Sequence, residues 1–143
     1  MLISVLLGLT LVGTTTYVHF HVLHLLSGAW ADKHIRADRR ILYAILVLFG
    51  THILEVILYA ATYWVALERL GVGAFTGATN SGPLELFYIS IVSYTSLGIG
   101  DIAPIGHIRF IVGVEALNGL LLIAWSASFM YMMMQQHWRS DRC

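Results

Sequence analysis

Tyr94-Thr95-Ser96-Leu97-Gly98-Ile99-Gly100-Asp101 lies between a short apolar segment, Leu84 to Ser93, and a long apolar one. Two glycines flank one residue and an acid follows. Glycine tolerates the positive φ angles that a backbone needs when its carbonyls must turn to one side. A row of such carbonyls can replace the hydration shell of a cation. Taken alone, Gly-x-Gly-Asp would also fit a tight turn. Its context argues for more. A helix candidate too short to cross a bilayer precedes it, and a full-length span follows. Non-helical backbone at membrane depth survives only inside protein or along a water-filled path.

The composition points to a membrane protein. The 143 residues suit one domain, with 58% apolar residues and only 11% charged. Soluble domains are typically about 25% charged. The formal net charge is zero, so nothing favours a nucleic-acid partner. Cys143 is the single cysteine and cannot form an internal disulfide. No nucleophile–base pair or phosphate loop is visible, and the Gly-x-Gly does not open a nucleotide-binding helix. An enzyme is therefore not expected.

Leu2 to Ser27 is long enough to span a bilayer, which takes about 20 residues. It lacks the basic start of a signal peptide, since no Lys or Arg precedes Lys33. Gly28 to Arg40 reads as a charged linker carrying Lys33, Arg36, Arg39 and Arg40. Ile41–Ala66 is a second span. A glycine-rich external loop, 67–83, follows. Pro83 and Glu85 suit the start of a short helix over 84–95. Ile108–His137 is the third span. Basic residues favour the cytoplasmic side of short loops. Lys33, Arg36, Arg39, Arg40, Arg139 and Arg142 fall on one side of a three-span layout, and Arg69 and Arg109 on the other. The N-terminus is then outside and the C-terminus in the cytoplasm.

Between Leu42 and Trp138 the chain resembles the potassium channel superfamily, whose usual filter reads Thr-Val-Gly-Tyr-Gly-Asp. Ser96 stands at the Thr, Leu97 at the Val and Ile99 at the Tyr; Gly98, Gly100 and Asp101 match directly. It is most similar to small bacterial potassium channel proteins with an extra helix ahead of a two-helix pore unit. Glu115 to Leu121 and Trp125-Ser126 look like their inner helix. The resemblance implies an all-α membrane fold, with three transmembrane helices, a re-entrant pore helix and a filter loop. Residues 1–40 would form the extra helix and linker, and 41–143 the pore domain, with the filter at 96–101. Four copies would close a homotetramer in the plasma membrane. Carbonyls of Ser96, Leu97, Gly98 and Ile99 would bind potassium as the permeant ligand, with no other cofactor. The Ser96 hydroxyl would form the innermost ring, Thr95 would support the loop, and Asp101 would sit at the outer mouth. Ile99 loses the ring and hydroxyl of the family's Tyr, which implies weaker discrimination against sodium.

On a helical wheel Glu115, Asn118, Leu122, Ser126, Phe129 and Met133 share a face. That face is expected to pack on the pore helix near the top and line the cavity lower down. Gly119 marks either a bend or a close helix contact. Ionisable groups within spans usually have partners. Tyr17, His21 and His24 share one face of the first helix, with His19 pointing elsewhere; His52, Glu55, Tyr59 and Thr62 share a face of the second. His21, His24, His52 and Glu55 could form a structural polar network, a proton sensor, or a loosely spaced metal site. The network is the favoured reading, and no transition metal is favoured. Ile99 and these histidines leave two alternatives open. One is a non-selective or proton-permeable pore. The other is a non-conducting sensor or partner subunit on the same fold.

Overall fold

The computed structural model describes residues 1–29, 37–77 and 82–140. The elements are α1 (Leu2–Ala29), α2 (Ala37–Glu68), β1 (Gly73–Thr76), α3 (Pro83–Tyr94), β2 (Ala103–Gly106) and α4 (Ile108–Ser140). Three helices are apolar and long enough to cross a membrane, over Leu2–Gly28, Arg39–Glu68 and Ile108–Gln136. At 1.5 Å per residue each exceeds the ~30 Å hydrocarbon layer. α3, with 12 residues, does not. Most of the charged linker, including Lys33 and Arg36, lies outside the described residues, as does Cys143. Arg39 and Arg40, read as linker, belong to α2.

α4 is the hub, packing against α1, α2, α3 and both strands. The interior divides along the helices into two apolar clusters. One gathers Val56, Tyr59 and Tyr63 of α2, Leu86, Ile89 and Tyr94 of α3, and Ile108 and Ile111 of α4. The other joins Leu23 and Leu26 of α1 to Ala44 and Leu48 of α2 and Met133 of α4. Between these positions on α2 and α4 lie His52, Glu55 and Ser126.

Two features position α3. Its start follows sequence logic, with Pro83 in the first turn, where its missing N–H costs nothing, and Glu85 against the positive end of the helix dipole. Its end is set by Gly119. A Cβ at that position would overlap the Tyr94 carbonyl, so only glycine lets α4 approach the last turn of α3 this closely. Of the two readings of Gly119, the structure supports the close contact.

The fold is mostly helical, as expected, with one addition that the sequence reading did not contain. β1 and β2 pair antiparallel, with Gly73 opposite Gly106 and Thr76 opposite Ala103. The Thr76 hydroxyl donates to the Ala103 carbonyl at 3.0 Å. The ribbon brackets α3 and its following loop, drawing together the chain that enters and leaves them. Each strand has four residues and shows no long alternation, so no period-2 signal marks it. Pro104 argues against a central strand and suits this two-edged ribbon.

Gly119→Ala should lower the thermal unfolding midpoint in detergent, costing about 1–3 kcal/mol through overpacking. Gly13→Ala, at a site with nothing near a new Cβ, should be neutral or mildly stabilising. Equal midpoints for Gly119→Ala and the parent would contradict the contact.

Candidate functional site

The loop after α3 starts with a capped helix end. Thr95 caps α3, its hydroxyl donating to the Ile91 carbonyl at 2.7 Å. The Ser96 amide bonds Ser93 O at 2.9 Å and the Leu97 amide bonds Val92 O at 3.0 Å. From there every second residue is left-handed: φ is +56° at Ser96, +57° at Gly98 and +85° at Gly100. Glycine adopts this conformation freely, whereas Ser96 does so at a cost of order 1–3 kcal/mol. Successive peptides in such an alternating chain do not follow a strand or helix ladder, which leaves their carbonyls free for a ligand. Leu97 is 65% exposed and Ile99 55%, so the loop's apolar side chains find no cover within one chain.

The loop is tied back at both ends. Asp101 Oδ2 accepts from the Tyr88 hydroxyl of α3 at 2.8 Å, and Oδ1 accepts from the Ile102 amide at 3.0 Å. The Asp101 bond raises the Tyr88 phenol above its ordinary pKa, so the proton that makes the bond is held more firmly. At the inner end the Ser96 hydroxyl points toward the Ala116 carbonyl of α4, at a long 3.4 Å.

The α4 face that carries Glu115 and Asn118 was expected to pack on the short helix near its top and to line a cavity lower down; Glu115 does meet α3. Glu115, Asn118, Leu122 and Ser126 are all buried inside the chain, and Phe129 is half-buried. Tyr63 of α2 donates to Glu115 Oε2, and the Ser90 hydroxyl of α3 lies 2.5 Å from Oε1. The Asn118 amide donates to Thr15 of α1 at 2.8 Å and to the Tyr59 hydroxyl at 3.2 Å. A polar side chain is most stable where other helices offer partners, so this face turns to α1, α2 and α3. The face left open on α4 carries Leu117, Leu120, Leu121, Tyr131 and Met132.

The histidine assignment changes too. His21 and His24 are exposed; His21 Nδ1 meets the Tyr17 carbonyl of its own helix and His24 stacks on Phe20. His19, expected to point elsewhere, is fully buried. Its Nδ1 lies 3.0 Å from Glu55 Oε1 and its Nε2 3.1 Å from Ser126 Oγ. His52 Nε2 reaches the same Ser126 Oγ at 3.1 Å, and its Nδ1 lies 3.2 Å from Glu55 Oε2 and 2.8 Å from the Tyr94 hydroxyl. Tyr94 donates to Glu55 Oε2 at 2.5 Å. Side chains from α1, α2, α3 and α4 thus close one polar belt. The buried stripe of α1 runs Ser4, Gly8, Thr15, His19, Leu23. Its small residues Ser4, Gly8 and Thr15, four and seven residues apart, were the signal that could have selected His19 over its neighbours.

A family model described as an ion channel matches residues 41–136, from early in α2 to near the end of α4. No curated protein and no solved structure matches.

Glu115→Leu should lower the unfolding midpoint sharply. It removes the carboxylate partner of the Tyr63 hydroxyl, a buried group that costs about 1–3 kcal/mol when left without a partner, while Ser90 keeps its bond to the Val56 carbonyl at 2.9 Å. Adding Tyr63→Phe should recover part of the loss; full additivity in thermal scans of the double variant would contradict the pairing.

Proposed function

The chain belongs to the ion channel family, and from that premise we propose that it is a homotetrameric channel conducting monovalent cations, potassium ahead of sodium. In this reading α3 is a re-entrant pore helix, and four copies of Ser96 to Gly100 ring the axis. Carbonyls of Ser96, Leu97, Gly98 and Ile99 then replace water around a dehydrated ion. The observation that carries the proposal is the alternation of left-handed residues at Ser96, Gly98 and Gly100, directly after a helix too short to cross. The exposed Leu97 and Ile99 support it, since apolar loop side chains need cover that neighbouring subunits would give. α4 presents Leu117, Leu120 and Leu121 on its open face, which suits packing against another copy or lipid. The distribution of basic residues favours a layout with the N-terminus outside and the C-terminus in the cytoplasm.

Selectivity depends on how firmly the carbonyls are held. Ile99 provides no hydroxyl to anchor the loop. The Tyr88–Asp101 bond supplies a brace between the helix and the loop's outer end from the other direction. The permeating ion meets no side-chain charge among Ser96 to Gly100, so discrimination rests on backbone geometry and that brace.

Reversal potentials of the purified protein in planar bilayers, under bi-ionic potassium and sodium, should favour potassium. Equal permeability would reject the preference and leave a non-selective pore; no current in any cation would reject conduction. Tyr88→Phe removes the brace at a half-buried position. It should lower the potassium-to-sodium permeability ratio by roughly 2–10-fold, matching the ~0.5–1.5 kcal/mol net value of one hydrogen bond. An unchanged ratio would show that the brace does not set selectivity.

A further inference from the structure

The belt of His19, His52, Glu55, Tyr94 and Ser126 does not balance as a set of hydrogen bonds. With Glu55 ionised, the available protons are one on each imidazole, one on the phenol and one on the serine hydroxyl. Put both imidazole protons on Nδ1, and both Nε2 lone pairs face Ser126 Oγ, which has a single proton to give. Put both on Nε2, and both Nδ1 lone pairs face Glu55, with only the Tyr94 proton to share. In a mixed arrangement His19 donates to Glu55 and His52 to Ser126. Then the one Tyr94 proton must serve both Glu55 Oε2 and His52 Nδ1. Every neutral assignment leaves electron pairs facing each other at one end. The belt is one cation short.

We infer that His19 Nδ1, His52 Nδ1 and Glu55 form a binding site for one divalent transition-metal ion of the zinc class. Ligand atoms of these residues all lie within 4.8 Å of one another. A tetrahedral ion with bonds of ~2.0–2.1 Å needs donors roughly 3.3 Å apart. The Nδ1-to-carboxylate separations are 3.0 and 3.2 Å. Tyr94 Oη, 2.8 Å from His52 Nδ1, lies beside these three ligands. Two imidazoles with one carboxylate suit zinc, iron, cobalt or nickel rather than calcium or magnesium.

Ser126 makes this assignment more specific. Imidazoles that bind a metal through Nδ1 carry their protons on Nε2. Both Nε2 atoms sit 3.1 Å from Ser126 Oγ, which can accept two hydrogen bonds. One hydroxyl would thereby fix both rings, the orienting role that outer groups play around metals. His19 and Glu55 are fully buried, while the His52 side chain is 19% exposed and gives a route in. His21 and His24, on the outer face of α1, take no part.

The test uses full-length protein in detergent, carrying Cys143→Ser, stripped with EDTA and titrated with zinc chloride or cobalt chloride. One equivalent of zinc per chain should survive gel filtration and raise the thermal midpoint. Cobalt should give visible absorption bands of a four- or five-coordinate ion. Glu55→Gln and His52→Asn should abolish retention, Ser126→Ala should weaken it about 10–100-fold, and His21→Ala with His24→Ala should change nothing. Circular dichroism of the metal-free variants separates lost binding from lost folding. Absence of retained metal in the folded parent would overturn the site, leaving a proton as the missing cation. Retention that survives Glu55→Gln, or vanishes with His21→Ala and His24→Ala, would overturn it as well.

Discussion

A carboxylate inside a membrane helix bundle must be matched atom by atom, because neither lipid nor bulk water will do it. Glu55 and Glu115 are both fully buried, and both are matched by α3. Ser90 in the middle of α3 reaches Glu115, and Tyr94 at its last turn reaches Glu55. A helix that cannot cross the bilayer is thereby clamped at two levels to the helices that can. The remaining partners, Tyr63 for Glu115 and the histidines for Glu55, bring α2 and α1 into the same arrangement.

That clamp determines where the loop begins. Tyr94 is at once a ligand of the Glu55 carboxylate, the surface against which Gly119 packs, and the last residue before the cap at Thr95. The loop leaves from a fixed point, and its outer end is caught again by Tyr88 and by the β1–β2 ribbon. Between these anchors the backbone alternates its handedness. A free peptide would not keep Ser96 left-handed; the bonds of the Ser96 and Leu97 amides to the last turn of α3 offset that strain. The loop's geometry and the buried acids are therefore one problem solved together.

Much of this was legible in the residues. Long apolar runs announce three membrane-length helices, and Pro83 with Glu85 marks the start of α3. The glycine spacing in the loop forecasts where φ turns positive, but not that Ser96 joins the pattern, since a serine's handedness is imposed by its neighbours' bonds. The ribbon was illegible because its strands are short and separated by the whole of α3 and the loop. The facing of α1 was misread because histidines at 19, 21 and 24 offer polar atoms in every direction. The small residues Ser4, Gly8 and Thr15 share the buried stripe of α1 with His19 and let neighbouring helices approach it. The packing of the α4 face on the short helix was legible, but the partners of its polar groups were not. Hydroxyls on α1, α2 and α3 partner Glu115 and Asn118 there.

The central claim is that the left-handed alternation at Ser96, Gly98 and Gly100 turns backbone oxygens onto an axis shared by four chains. An electron cryomicroscopy map of the protein in lipid nanodiscs with potassium chloride tests it most directly. Four-fold symmetry with ion density on the axis, level with the Leu97 and Gly98 carbonyls, is the predicted result. A subunit count that closes no ring, or Gly98 and Gly100 turned away from the symmetry axis, would contradict it.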